Sequence, residues 1–146
     1  AFKLALEDSF VCYQKQVLAN ARLLAEELKG YGFNIVSGGT DTHLMLIDLR
    51  NKNITGKKAQ ETLDKAHITL NKNAVPFDDK SPFVTSGIRI GVPAITTRGL
   101  KTEHMETVVD LIDRVLMNID SETEIASVKN DVQSFMQAFP LYPELG

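Results

Sequence analysis

Cysteine is nearly absent from this 146-residue sequence, and its single occurrence, Cys12, excludes a disulfide within the chain. A fold without disulfides does not depend on an oxidising compartment, and we expect a cytoplasmic protein. Cys12 lies among apolar residues in a helical pattern. We therefore interpret it as a small buried hydrophobe rather than a reactive thiol.

Other missing features exclude further classes of protein. No apolar run approaches the roughly 20 residues that a membrane span requires, and the first residues do not read as a secretory signal. The formal net charge of −3 argues against nucleic acid or an anionic membrane as the main partner. The three histidines are far apart, so the sequence predicts no metal site. Neither a catalytic triad nor a glycine–lysine phosphate loop can be read.

Helical periodicity dominates what is present. We predict a helix over residues 1–29, with a break near Asp8 and Ser9, because apolar residues from Tyr13 to Leu28 recur at helical spacing. The pattern is already under way at Ala1 without a capping residue, so we expect the chain to be part of something longer. Three more helices are predicted: one capped by Thr55, one over residues 102–119, and one that starts at the capping box of Ser121 and Glu124 and is ended by Pro140 and Pro143.

Short strands are predicted between these helices. Few strands, with helices able to pack on one side, indicate a two-layer α+β domain that spans residues 1–146. His43, near a strand end, is most simply a hydrogen-bonded structural histidine. The predicted strands are Phe33–Ser37, Thr42–Leu49, Ile68–Leu70 and the segment that contains Arg89.

Arg89 stands between two glycines in that last strand. Because side chains alternate along a strand, Ile88 and Ile90 would face the core, while Arg89 shares the open face with Gly87 and Gly91. The guanidinium would then have empty space on both sides, and its fork fits a small carboxylate or phosphate. A salt bridge to a neighbouring carboxylate explains the same arginine, and both interpretations remain open.

The loop before this strand, residues 71–86, is long for a compact domain, and loops of this kind are usually functional or disordered. We predict an ordered loop, stiffened by Pro76 and Pro82 and pinned by Phe77 and Phe83. Asp78, Asp79 and Lys80 are interpreted as a solvated turn.

Two asparagines at the start of this loop could contribute to a binding site. The amides of Asn71 and Asn73 are of the kind that read heterocycle edges. Asparagine also forms turns on its own, and this alternative stays open.

Two segments of the chain resemble a known enzyme family. They read SGGTDTHLMLIDLRNKNITGKKAQETLDKAHIT and NKNAVPFDDKSPFVTSGIRIGVPAITTRG. Both closely resemble the C-terminal part of serine hydroxymethyltransferase, also called glycine hydroxymethyltransferase, and the likeness runs through essentially the whole chain. The resemblance implies the small C-terminal domain of the fold-type I pyridoxal-phosphate enzymes, an α/β sandwich. The helix over residues 1–29 would then connect it to a large domain.

The resemblance also implies an activity. The family interconverts serine plus tetrahydrofolate with glycine plus 5,10-methylenetetrahydrofolate, and it uses pyridoxal phosphate as an electron sink. It works as a homodimer or higher homo-oligomer. None of the lysines here lies in the family's cofactor-binding motif, so we expect no catalytic residue in this chain and no activity from the chain alone.

The resemblance assigns roles to a few residues by their match to the family motifs. Arg89 matches the arginine that binds the substrate carboxylate. Asn73 and the segment Ser81-Pro82-Phe83 match folate-binding positions. Arg98 matches an arginine near the site, and we interpret it as supporting structure.

Two other functions were weighed against this one. The first is a free-standing regulatory module that binds an amino acid through Arg89, against which the uncapped start argues. The second is a related fold-type I enzyme that acts on another amino acid, against which the folate-type loop from Asn71 to Phe83 argues.

Overall fold

The computed structural model describes residues 2–142 and shows a four-stranded antiparallel sheet with helices packed against it. This mixed architecture confirms the predicted α+β class. The helices are α1 (Phe2–Ala5), α2 (Asp8–Gly30), α3 (Gly56–Lys65), α4 (Pro93–Thr97), α5 (Met105–Met117) and α6 (Glu122–Met136). The strands are β1 (Asn34–Ile35), β2 (Leu44–Asp48), β3 (Asn71–Asn73) and β4 (Gly87–Gly91). No helix between residues 2 and 142 is long and apolar enough to cross a membrane.

The sheet has the strand order β1-β2-β4-β3, so β4 is an inner strand. Arg89 on β4 lies directly opposite Leu46 of β2 and Asn71 of β3. Residues opposite each other in antiparallel strands project from the same face. The other face joins one hydrophobic core with the helices, and its buried members include Ile35, Met45, Ile47, Ile88 and Ile90.

The long N-terminal helix forms much as predicted, with the break between α1 and α2 falling at Leu6 and Glu7. The predicted stripe supplies Val17, Leu24 and Leu28 to the core. The prediction for Cys12 was wrong, because its side chain is exposed. Cys12 lies in the first turns of α2, where Tyr13 packs partly against the core and Val17 is the first buried residue. Ala1, on which the predicted uncapped start rests, lies outside the described residues.

The predicted cap at Thr55 is confirmed, but only half of the predicted capping box at Ser121 forms, because the Glu124 carboxylate accepts from Arg114 instead of the Ser121 N–H. The Thr55 hydroxyl accepts a hydrogen bond from the Lys58 N–H at 3.2 Å, and the Ser121 hydroxyl accepts one from the Glu124 N–H at 3.3 Å. Both bonds satisfy backbone donors that a helix start leaves unpaired. Helix α6 ends at Met136, before Pro140, and Pro143 lies outside the described residues.

The strands differ from the sequence prediction in length and position. The first keeps only Asn34–Ile35, because the chain turns through a 3₁₀ segment in which Ser37 has a φ of 67°. The third strand begins at Asn71 rather than at residue 68. The Ile68 N–H still bonds the Leu63 carbonyl and closes the end of α3, so residues 68–70 are occupied in leaving the helix.

Helix α4 was missed by the sequence analysis, and so was the residue that holds it. Asn20 is fully buried on α2, where its amide donates to the Thr96 hydroxyl and the Leu100 carbonyl, each at 2.9 Å. The Tyr13 hydroxyl also donates to the Pro93 carbonyl at 3.2 Å. These bonds fix α4, which directly follows β4, against the core.

Candidate functional site

Arg89 projects from the face of the sheet that the helices leave open. Ile88 and Ile90 on either side of it are buried, whereas the arginine is exposed. The alternation predicted from the sequence is therefore present. The core holds the backbone of β4 through the two isoleucines and directs the guanidinium away from the helices.

The guanidinium of Arg89 contacts a neutral partner. Its Nη2 donates to Oδ1 of Asn71 at 3.2 Å. Between residues 2 and 142, no carboxylate lies within ion-pair distance of Arg89. The salt-bridge interpretation thus has no partner in this part of the chain, and the positive charge of Arg89 stays uncompensated there.

One carboxylate does lie on the same sheet face but is already paired. Asp48 sits opposite Gly87, two residues along β4 from Arg89. Its oxygens accept bonds from Nε and Nη2 of Arg50, the latter at 2.6 Å. These side-chain bonds from Arg50 hold the pKa of Asp48 below its usual value. Asp48, the acid on this face that could otherwise neutralise Arg89, is therefore already paired with Arg50.

The two glycines beside Arg89 differ in the space around them, and the prediction of free space on both sides was wrong. A Cβ on Gly87 would lie 2.5 Å from the Ile47 carbonyl oxygen and 2.5 Å from Cγ1 of Val75, so this position is filled. A Cβ on Gly91 would meet nothing closer than 3.6 Å. Only the Gly91 side of Arg89 is open to a ligand.

On that side lies a cavity of about 380 Å³. Its walls come from the ends of β2 and β4 and from the segment that enters β3. The His43 ring is exposed and makes no hydrogen bond within the described range, so the predicted structural bond is not present there. The lining residues are His43, Leu44, Thr69, Leu70, Asn71, Arg89 and Gly91.

The loop between β3 and β4 is ordered around Asp78, which the sequence analysis had placed in a solvated turn. Its carboxylate accepts bonds from the N–H groups of Val75, Lys80 and Ser86 and from the Ser86 hydroxyl, the last at 2.7 Å. Burial alone would raise the pKa of Asp78, but these hydrogen bonds outweigh it and hold the pKa well below its usual value. Asp78 therefore fixes the shape of the loop.

The prediction that Phe77 and Phe83 pin this loop was wrong. Their side chains are 99% and 83% exposed, so neither contributes to the core. The apolar anchor is Val75, which is 5% exposed and packs over Gly87. Nη1 of Arg50 also reaches the Phe77 carbonyl at 3.4 Å. The ordered loop was predicted correctly, but its anchors were not.

The residues matched to folate binding lie on the strand and loop beside Arg89. Asn73 shares the open face with Arg89 and lies opposite Gly87. Its amide nitrogen donates to the Ala74 carbonyl at 2.8 Å, so part of its capacity serves the local turn. Ser81, Pro82 and Phe83 are exposed and form the turn in which the Ser81 carbonyl accepts from Val84 N–H at 2.9 Å.

Arg98 lies elsewhere, at the end of α4. Its Nε donates to the Phe139 carbonyl at 2.8 Å, and its Nη2 reaches the Met136 carbonyl at 3.4 Å. A guanidinium at the last carbonyls of a helix is favourable because these groups have no partner inside the helix. Arg98 thus ties α4 to the end of α6 and does not line the Arg89 cavity.

Among the described residues, no lysine lines the Arg89 cavity. Several lysines instead bond surface groups, such as Lys58 with Asp120 at 2.9 Å and Lys52 with the Tyr31 carbonyl at 2.9 Å.

A comparison with protein families gives this geometry a context. A family model described as "Serine hydroxymethyltransferase" matches residues 1–112, which is well over half of the chain. The matched region contains the Arg89 cavity, the loop ordered by Asp78, and Asn73. The chain therefore belongs to the serine hydroxymethyltransferase family, a family of transferases in serine, glycine and one-carbon metabolism.

Proposed function

We propose that this chain supplies the substrate-carboxylate site and part of the folate site of a glycine hydroxymethyltransferase. The full-length enzyme would interconvert serine plus tetrahydrofolate with glycine plus 5,10-methylenetetrahydrofolate. One observation carries the proposal: Arg89 projects beside an open cavity with a neutral partner only, between residues 2 and 142.

The task of Arg89 in this enzyme is to bind and orient. A guanidinium fork forms two parallel hydrogen bonds to a carboxylate, which fixes both the position and the plane of the amino acid. Holding the reacting bond in one orientation lowers the barrier without chemical participation by the arginine. Because β4 is an inner strand anchored by Ile88 and Ile90, the guanidinium is presented from a rigid base.

The folate part of the proposal rests on the loop. Asn73 offers an amide on the same face as Arg89, and Ser81, Pro82 and Phe83 are exposed at the turn. A loop held by Asp78 presents these groups with little conformational entropy left to lose on binding. Tetrahydrofolate would lie along this loop.

Pyridoxal phosphate, when bound to the full-length enzyme, supplies the electron sink for bond cleavage at the amino acid. No lysine lines the Arg89 cavity between residues 2 and 142. We propose that the chain alone binds the cofactor only weakly and is inactive. A homodimer or higher homo-oligomer in the cytoplasm completes the proposed enzyme.

The test is the activity of the full-length protein with Arg89→Lys. Lysine keeps the charge but loses the fork, so the kcat/KM for serine should fall about 10- to 100-fold. Arg22→Lys makes the same change at an exposed arginine on α2 and should leave activity unchanged. Unaltered serine kinetics in Arg89→Lys would refute the proposed role.

The chain by itself provides a second test. We expect no serine cleavage and no borohydride-trapped lysine adduct after pyridoxal phosphate is added to the purified chain. Calorimetry with glycine should give weak or undetectable binding. Tight glycine binding by the chain alone would instead support a free-standing amino-acid-binding module.

A further inference from the structure

Among the described residues, the neighbours of Arg89 in the sheet do not place an unpaired negative charge beside its guanidinium. Its two directly opposite residues in the sheet are Leu46, which is apolar, and Asn71, which is neutral. The acid on the same face, Asp48, is taken by three close N–O contacts from the Arg50 side chain, at 3.0, 3.0 and 2.6 Å. Asn71 is thus the side chain that decides how Arg89 is held.

A neutral acceptor has an effect on Arg89 that a carboxylate would not have. The side-chain amide oxygen of Asn71, Oδ1, accepts from one of the five guanidinium N–H groups, at 3.2 Å, and restricts rotation of the guanidinium plane. It does not cancel the charge. A carboxylate at the same position could pair bidentately with Arg89, and an incoming ligand carboxylate would have to displace it.

We propose that Asn71 is a positioning and specificity residue that keeps Arg89 oriented and uncompensated for the α-carboxylate of a small amino acid. This inference rests on the proposed function. Asn71 acts through Arg89 and is not a catalytic residue. Its neutrality matters more than its hydrogen bond, because a weak exposed bond is easily replaced by water, whereas a fixed negative charge is not.

The experiment compares Asn71→Ala with Asn71→Asp in the full-length holoenzyme. Asn71→Ala frees the guanidinium to rotate and should raise the KM for serine only about threefold to tenfold. Asn71→Asp should raise it about 100-fold, because the new carboxylate competes with the substrate. The kcat at saturating serine and the KM for tetrahydrofolate should change little in either variant.

The order of the two effects separates this proposal from a structural role. Aspartate has nearly the shape of asparagine and keeps the acceptor oxygen, so a structural role predicts that Asn71→Asp is the milder change. Asn34→Asp controls for added charge, since Asn34 is exposed on β1, which two strands separate from Asn71 on β3. Asn73→Asp, on the same strand and face as Asn71, should act on the KM for tetrahydrofolate instead.

The possible results have distinct meanings. A larger rise in the serine KM for Asn71→Asp than for Asn71→Ala, with Asn34→Asp unchanged, supports the proposal. An equal or smaller rise for Asn71→Asp, with Arg89→Lys still impaired, overturns it and leaves the proposed function intact. Normal serine kinetics in Arg89→Lys overturns the proposed function and this inference together.

Discussion

Single residues set the properties of the Arg89 site, and the glycines on either side of the arginine show this most clearly. Both lack a side chain, but only one leaves space for a ligand. Gly87 lets the Val75 side chain and the backbone of β2 approach closely, whereas Gly91 borders the cavity. Glycine next to a functional residue therefore has two separate physical meanings, close packing and ligand access.

Substituting each glycine by alanine should separate these meanings. Gly87→Ala would place a Cβ 2.5 Å from two atoms, and we expect a loss of about 1–3 kcal/mol in the free energy of unfolding. Gly91→Ala has room for its methyl group, so its stability should stay within about 0.5 kcal/mol of the wild type. Urea unfolding of both variants tests this, and equal destabilisation would contradict it.

At the scale of elements, the loop between β3 and β4 depends on one carboxylate. Asp78 receives its bonds from three positions, Val75, Lys80 and Ser86, which lie near the start, in the middle and at the end of the loop. Asp79 next to it is exposed and forms an ion pair with Lys80 at 3.6 Å. Asp78 therefore has a structural role, and its neighbour Asp79, which lies at the surface, provides a matched control for substitutions.

Asp78→Asn should loosen the loop, because an amide cannot accept from all of these donors, and each unsatisfied N–H costs about 1–3 kcal/mol if buried. Trypsin cleavage after Lys80 should then be faster by tenfold or more, since about 1.4 kcal/mol corresponds to a factor of ten. Asp79→Asn should cleave at the wild-type rate. Equal cleavage of all three proteins would show that Asp78 does not order the loop.

The same carboxylate predicts a dependence of stability on pH. The hydrogen bonds lower the pKa of Asp78 in the folded protein. The ionised carboxylate therefore stabilises the fold fully above the pKa of unfolded Asp78, about 3.9, and this stabilisation is lost as the pH falls through the folded pKa. As the pH is lowered below 4, the melting temperature of the wild type should therefore fall more steeply than that of Asp78→Asn. Parallel curves for the two proteins would contradict this assignment.

The sequence predicted the elements whose signals are local. Helix caps at Thr55 and Ser121 and the alternation around Arg89 depend on residues within a few positions of each other. Features that depend on distant partners were not predictable. From the sequence, Asn20 looks like a polar residue on a helix surface, because its partners Thr96 and Leu100 are distant in the chain. Asp78 likewise looks like an ordinary acid in a turn, because its bond to Ser86 forms only when the loop folds back.

The candidate site shows the same division. The family motif and the strand alternation pointed to Arg89, but whether a neighbouring carboxylate pairs with it depended on the positions of Asp48 and Arg50. The pairing of Asn71 with Arg89 depends on the register of β3, which begins three residues later than the sequence suggested. A strand of three residues carries too little periodicity to fix its own register.

For the whole molecule, the matched family region ends at residue 112, inside α5 rather than at a structural boundary. The part beyond it contributes to the same core through Val115, Leu116, Ile125, Val128 and Val132. Arg114 bonds Glu124 and Asp131 at 2.9 Å, and Arg98 bonds the end of α6. Helix α6 is therefore an integral part of the fold.

A chain that ends at residue 112 should not fold cooperatively. It would lose five buried side chains worth about 1.5–3 kcal/mol each, which is comparable with the entire stability of a typical domain, about 5–15 kcal/mol. A chain that ends at Tyr142 keeps every described contact and serves as the control. Circular dichroism melting compares them, and a sharp transition in the shorter chain would contradict the prediction.

The central claim, that Arg89 recognises the carboxylate of the amino acid, is tested most directly by removing that carboxylate from the ligand. Glycine and aminomethane share the amine, and only glycine can use the guanidinium fork. In the full-length holoenzyme, Arg89→Leu should weaken glycine binding about 100-fold and leave aminomethane binding unchanged. An equal loss of affinity for both ligands, or no loss for glycine, would contradict the account.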